Sequence, residues 1–246
     1  MVTFEKTIKI VDIKLKTKKT FDKINASINS VETKLKKDDT TYNKCEGKDL
    51  KKRIARQKVS EAIINSGESG LMLSLTSNKN VDTEKEILKH LPEMKIVAVE
   101  NKINIVSDMR TMFKEHNLKM SVFVGDVSQK LYGANEDTYA HLNLDYCSNI
   151  ITIAKELKYV LDNKLVRKNG IIAVTIYKPI RRIKNNKSFL DVLKLFKTNF
   201  EGDSRNNINK VIERFFYAIC GFNYSVELFE YKDTSPMVLA LIKREI

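Results

Sequence analysis

Residues 140 to 150 read AHLNLDYCSNI, apolar at the start and polar at the end, with Asp145, Tyr146, Cys147 and Ser148 in a row where the polarity changes. A carboxylate, a phenol, a thiol and a hydroxyl in succession can supply a proton acceptor and a nucleophile. Two further acids close apolar runs, Glu100 at the end of KIVAVE and Asp126 at the end of MSVFVGD. Each arrangement has two readings. Either these groups line the mouth of a parallel sheet, where ligands of open α/β sheets bind, or the strands simply stop there, and Cys147 is a small core hydrophobe like many free thiols.

The rhythm of the chain shows what must hold such groups in place. From residue 70 onward the strand candidates are LMLSLT (71–76), KIVAVE (95–100), MSVFVGD (120–126), AHLNLD (140–145) and GIIAVTIY (170–177). Between them apolar residues recur at helical spacing: Ile87, Leu88 and Leu91; Ile105, Met109, Met112 and Phe113; Ile153, Leu157, Val160 and Leu161. This alternation predicts right-handed βαβ crossovers and a parallel sheet covered on both faces. After the basic loop KPIRRIKNNK the rhythm changes. Two helical stretches, 188–199 and 206–219, lead to YSVELFEY (224–231) and MVLALIKRE (237–245), whose short KDTSP connection makes them antiparallel neighbours.

Ahead of the sheet, FEKTIKIVDIKLK alternates weakly through Ile8, Ile10, Ile13 and Leu15, as a strand or an extended arm would. Phe21, Ile24, Ile28, Val31 and Leu35 then share one helical stripe, DDTTYNK reads as a linker, and DLKKRIARQKVSEAIINSG reads as a helix. The exposed face of that helix carries Lys51, Lys52, Arg53, Arg56 and Lys58.

With 246 residues, 42% of them hydrophobic, the chain has material for one large α/β domain and an appendage. Of its net charge of +13, residues 1–58 hold +9, from 17 Lys and Arg against 8 Asp and Glu. Phosphate neutralisation with counterion release is what such a segment offers, so a nucleic-acid partner is expected. A solvated lysine-rich surface is the plainer alternative. Residues 1–58 are expected to form a basic, partly helical extension, and 59–246 an α/β domain able to fold without it. Cys45, Cys147 and Cys220 are odd in number and far apart, with only His90, His116 and His141 beside them, so neither a disulfide framework nor a metal site is expected. No apolar run approaches the ~18 residues of a membrane span and no h-region opens the chain, which points to an intracellular protein, cytoplasmic or, in a eukaryote, nuclear. The oligomeric state leaves no signal.

The order of these elements resembles the class I S-adenosylmethionine-dependent methyltransferases over about residues 66–246. The signposts are the acid in VAVEN, the GD ending the third strand, LDYC ending the fourth, RKNGIIAVTI entering the fifth and CGFNYSVELFEY opening the terminal hairpin. The resemblance implies a Rossmann-like, seven-stranded, mainly parallel sheet with a C-terminal antiparallel hairpin, preceded here by the basic extension. It also implies S-adenosylmethionine as cofactor. Glu100 stands 24 residues beyond Thr76, close to the spacing at which an acid takes ribose hydroxyls in related dinucleotide folds. By resemblance Asp126 accepts from the adenine amine, and the turn of Ser74, Thr76 and Asn78 meets the methionine end. The pattern departs from the family here: Ser74 stands in place of an acid, and Thr76 and Asn78 in place of glycines that let the backbone approach the cofactor.

Asp145, Tyr146 and Cys147 fall where base-modifying members keep their catalytic loop. In the Asp-Pro-Pro-Tyr form, an acid accepts from the target amine and an aromatic ring stacks on the extruded base, roles open to Asp145 and Tyr146 although both prolines are missing. Cys147 is in the region of the nucleophile of cytosine-C5 enzymes but lacks the preceding proline, so an obligatory nucleophile is not expected. The loop cations Lys178, Arg181 and Arg182, followed by Lys184 and Lys187, open on the same edge as Asp145, where they can grip phosphates. Tyr177, just before them, is expected to pack in the core. Methyl transfer to DNA or RNA is the leading expectation. A catalytically inactive nucleic-acid-binding protein on the same scaffold is the alternative, and methylation of a protein or small molecule is a third.

Overall fold

A computed structural model describes residues 46–76, 80–148, 150–177, 208–232 and 236–246. Several expectations lie outside them: the arm and helix before residue 46, Cys45, Asn78, the cations Lys178, Arg181, Arg182, Lys184 and Lys187, and the helix at 188–199. The side chains of Cys147 and Ser148 lie outside as well. The strands are β1 (Leu71–Ser74), β2 (Lys95–Glu100), β3 (Met120–Val124), β4 (His141–Ser148), β5 (Ile171–Tyr177), β6 (Tyr224–Lys232) and β7 (Pro236–Arg244). They form one seven-stranded sheet in the order β3-β2-β1-β4-β5-β7-β6. β1 to β5 pair in parallel, while β7 runs antiparallel to both β5 and β6. The helices are α1 (Glu46–Ser66), α2 (Asp82–His90), α3 (Ile103–Glu115), α4 (Val127–Tyr132), α5 (Ile150–Asp162) and α6 (Ile208–Cys220). Among the described residues no helix is long and apolar enough to cross a membrane.

The core follows from the two periodicities. The first six residues of β5, IIAVTI, are all buried because the strand lies between β4 and β7 and is covered on both faces. Ile153, Leu157, Val160 and Leu161 of α5 and Val211, Ile212, Phe215 and Phe216 of α6 join the same cluster as Leu142, Leu144, Val174 and Ile176 of the sheet. Tyr177 is a correction: it is 37% exposed. It is the last residue of β5, one step beyond the layer that buries the first six.

Lys48–Ile246 forms one compact unit. The expected boundary at 58/59 falls within α1, whose Ile54 and Ala55 are buried ahead of it and whose Val59 and Ile63 are buried after it. Gly67 ends this helix with φ +69°, its N–H donating to Ile64 O at 3.1 Å, a left-handed step that glycine takes without strain. Gly170 is required for space rather than for backbone angle. A methyl group there would collide with the carbonyl oxygen of Ala140 and approach Arg167 O at 2.9 Å.

Because the chain runs outward from β1 to β3 and then returns to β4 on the other side of β1, strand order reverses between β1 and β4. Loops leaving neighbouring strands there diverge, which opens a crevice at their carboxyl ends.

Candidate active site at the strand ends

Beside that crevice the short β1 ends in two hydroxyls. Ser74 Oγ and Thr76 Oγ1 both donate to Oε1 of Glu84, at 2.7 and 2.6 Å, and Asn143 Nδ2 of β4 donates to Ser74 Oγ at 3.1 Å. The 2.8 Å separation of the two hydroxyl oxygens follows from the carboxylate oxygen they share. Glu84 is in the first turn of α2 and only 2% exposed. Burying a carboxylate is costly unless its oxygens find donors, and β1 provides them. Ser74 and Thr76, expected to meet the cofactor, thus point their hydroxyls at Glu84. Glu84 itself is not among the residues that the sequence singled out. Its signal was present: it stands three residues before Ile87 and seven before Leu91, on the apolar stripe of α2, where an acid has no reason to be unless something receives it.

Glu100 ends β2 half-buried, and one carboxylate oxygen accepts from Lys102 N at 2.8 Å, tying it to the entry of α3. Its second oxygen has no partner among the described residues. Ile103, the first residue of α3, is 78% exposed, an apolar surface beside an acid that nothing in the sequence pattern had marked. Asp126 caps α4, accepting from Ser128 N at 2.9 Å while its own N–H donates to Gln129 Oε1 at 3.0 Å. The Ser128 side chain and backbone hold its carboxyl below the usual range, with slight burial opposing them.

The stretch of residues 140 to 150 is not where β4 stops. The strand continues to Ser148, but its pairing with β5 slips: Asp145 is opposite Thr175 and Ser148 opposite the next residue, Ile176. Tyr146 and Cys147 are extra residues in a bulge, the kind of irregularity that re-aims side chains near sites. Asp145 lines a cavity of about 50 Å³ together with Glu84, Asn143, Tyr231 and, from α1, Lys52 and Arg56. The fold therefore brings Asp145, the β1 cluster and two of the helix cations together, while Lys51 and Arg53 stand exposed on α1 outside that lining.

Tyr146 packs against the core cluster, and its hydroxyl is buried without a hydrogen-bond partner among the described residues. Burial, then the nearby Glu156 carboxylate and Asp126, hold the phenol far above its ordinary range. Burial likewise raises Glu156, opposed by Tyr146. Stacking on an extruded base would require this ring to leave the core.

No protein-family model matches the chain, and no curated protein matches its sequence. In three dimensions it is similar to the methyltransferase of Podospora anserina solved with S-adenosylhomocysteine, at 13% identity and TM-score 0.50, over 90% of this chain and 96% of that one. It is also similar to an rRNA methylase from Streptococcus thermophilus, at 12% identity and TM-score 0.47, over 78% of this chain and 95% of that one. What is shared is the fold: the strand order and the antiparallel terminal hairpin are those of the Rossmann-like class I methyltransferases.

Proposed function

We propose that this protein transfers a methyl group from S-adenosylmethionine to a nucleic acid. The observation that carries the proposal is the cavity at the strand ends, where Asp145 stands with Lys52 and Arg56 of the most basic helix face of the described chain. It couples a proton acceptor to cations suited to phosphate.

The residues at the crevice fit the cofactor. Glu100 keeps one carboxylate oxygen without a partner among the described residues, suited to ribose hydroxyls, and exposed Ile103 offers an apolar surface to a flat base. Asp126, which caps α4 just beyond β3, is the acid for an exocyclic amine. When bound, S-adenosylmethionine supplies an electrophilic methyl group on a sulfonium. Asp145 accepts a hydrogen from the target amine as that nitrogen gains the methyl, and takes its proton. Lys52 and Arg56 hold the nucleic-acid backbone at the rim, so that binding energy orients the target for in-line attack. Cys147 forms no obligatory covalent bond in this scheme.

The test is transfer of a labelled methyl group to DNA and to RNA, offered separately. Asp145→Ala should lower turnover about a hundredfold or more, the usual range for a lost proton acceptor, while cofactor binding persists. Binding of nucleic acid without cofactor binding or transfer would instead support the second reading, an inactive scaffold. That reading is favoured by Ser74 and Thr76 standing where an acid and a glycine are expected.

A further inference from the structure

We infer that a cavity on the sheet face beneath α4, away from the strand ends, binds the base of a nucleotide whose phosphate meets Lys95. This site is separate from the crevice at the strand ends and does not depend on the methyl-transfer reading.

The cavity measures about 300 Å³, at the lower end of the range for small-ligand sites. Leu71 and Leu73 of β1 and Val97 of β2 form its floor, and Gln129, Asn135 and Tyr139 stand in its walls. It exists because α4 has only six residues: Val127 and Leu131 are buried against the sheet, while Leu71 and Val97 stay partly exposed. The walls are fixed before any ligand arrives. Asn135 N–H donates to Thr138 Oγ1 at 3.0 Å, Thr138 Oγ1 donates to Asn135 O at 2.8 Å, and Tyr139 OH donates to Lys130 O at 3.0 Å, which ties the loop after α4 back to the helix. Walls already ordered lower the entropic cost of binding. The lining then selects the ligand. An aliphatic floor receives a flat face, and carboxamides, with donor and acceptor side by side, match the edge of a base. Gln129 Oε1 already accepts from Asp126 N–H at 3.0 Å, so Gln129 offers chiefly its NH2, while Asn135 presents a whole amide. Because β1 and β2 are interior strands, their backbone groups are paired within the sheet and a peptide finds no edge to join. Lys95 supplies the charge: exposed, opposite Leu71 and two residues before Val97, it leaves the sheet on the face of the floor. Lys130, its Nζ 4.4 Å from the centre of the Phe123 ring, adds a second cation beside the cavity. Space for one base with cations next to it is the complement of a single nucleotide.

The experiment is calorimetric titration of the full-length protein and of Val97→Phe, Asn135→Ala and Lys95→Ala with the four ribonucleoside monophosphates and, separately, with a single-stranded oligonucleotide. Excess S-adenosylhomocysteine is present throughout, so that adenosine monophosphate is not read at the strand ends. Val97→Phe fills the cavity and should abolish binding there, whereas Asn135→Ala and Lys95→Ala should each weaken it about three- to tenfold, the scale of one lost hydrogen bond or phosphate contact. If Val97→Phe does not fold, the two exposed positions, 95 and 135, make the comparison without it. These losses with a mononucleotide identify a free nucleotide as the ligand, and the same losses with the oligonucleotide alone identify one nucleotide of a bound strand. Both outcomes support the site. Absence of binding by every probe, or binding that Val97→Phe and Asn135→Ala leave unchanged, overturns it and leaves the methyl-transfer reading standing.

Discussion

His141 opens β4 with no exposed surface and both ring nitrogens engaged. Ile171 N–H donates to Nδ1 at 3.1 Å, and Nε2 is 3.0 Å from Glu68 O, so the hydrogen is on Nε2 and the neutral ring ties the approach to β1 to the start of β5. Burial lowers its pKa, opposed by the Glu68 carbonyl and charge. An unfolded imidazole protonates near pH 6.5, the folded one only at lower pH. The unfolded state therefore binds more protons in between, and the stability due to His141 is complete above about pH 6.5 and lost as pH falls through the folded value. Denaturant midpoints measured from pH 8 to 5 should show that fall, and His141→Gln should flatten it while lowering stability by about 1–3 kcal/mol at neutral pH, because a buried N–H loses its acceptor. A slope that persists in the variant would assign it to other groups. In the sequence His141 is one of three scattered histidines, and nothing local marks it as a strut. Its partners are 73 and 30 residues away.

At the scale of elements, α1 belongs to the sheet more than its charge suggests. Lys58 forms an ion pair with Glu227 at 3.5 Å and stands over the Phe229 ring, while Ile63 is fully buried. Its cationic half reaches the strand ends, where Lys52 and Arg56 wall the cavity. The run of cations at 51–58 is the dominant feature of this segment in the sequence and hides a periodicity of buried residues at 54, 55, 59 and 63. Shortening the chain to Lys48–Ile246 should leave thermal stability nearly unchanged. Starting it at residue 59 removes the buried Ile54 and Ala55 and should lower stability by about 2–4 kcal/mol, on the scale of area removed from the core. Equal melting of the two forms would show that α1 contributes nothing through its first half.

For the whole molecule, charge decides how a nucleic acid approaches. Lys51 and Arg53 are exposed on α1 near the cavity wall but do not line it. If they meet phosphates, the double variant Lys51→Ala, Arg53→Ala should bind every sequence more weakly, and its plot of log affinity against log salt should be shallower by about 0.7–0.9 for each phosphate no longer neutralised. An unchanged slope would remove these two cations from the interface. The alternation of apolar runs, with its two periods of 2 and 3.6, was enough to determine the α/β class, the parallel strands and the antiparallel hairpin, because burying a strand or a helix face is a local demand that each segment states for itself. The acids at the strand ends were legible for the same reason, being neighbours in sequence of the strands they close. What they touch was not. The slip in β4 that takes Tyr146 into the core depends on how β5 pairs beside it. The meeting of Glu84 with Ser74 and Thr76 depends on α2 lying against β1, and that of Asp145 with Lys52 and Arg56 on α1 crossing the same strand ends. Such meetings are set by the packing of whole elements, whose side chains come together only after the hydrophobic layers have closed, so tertiary structure alone decided them.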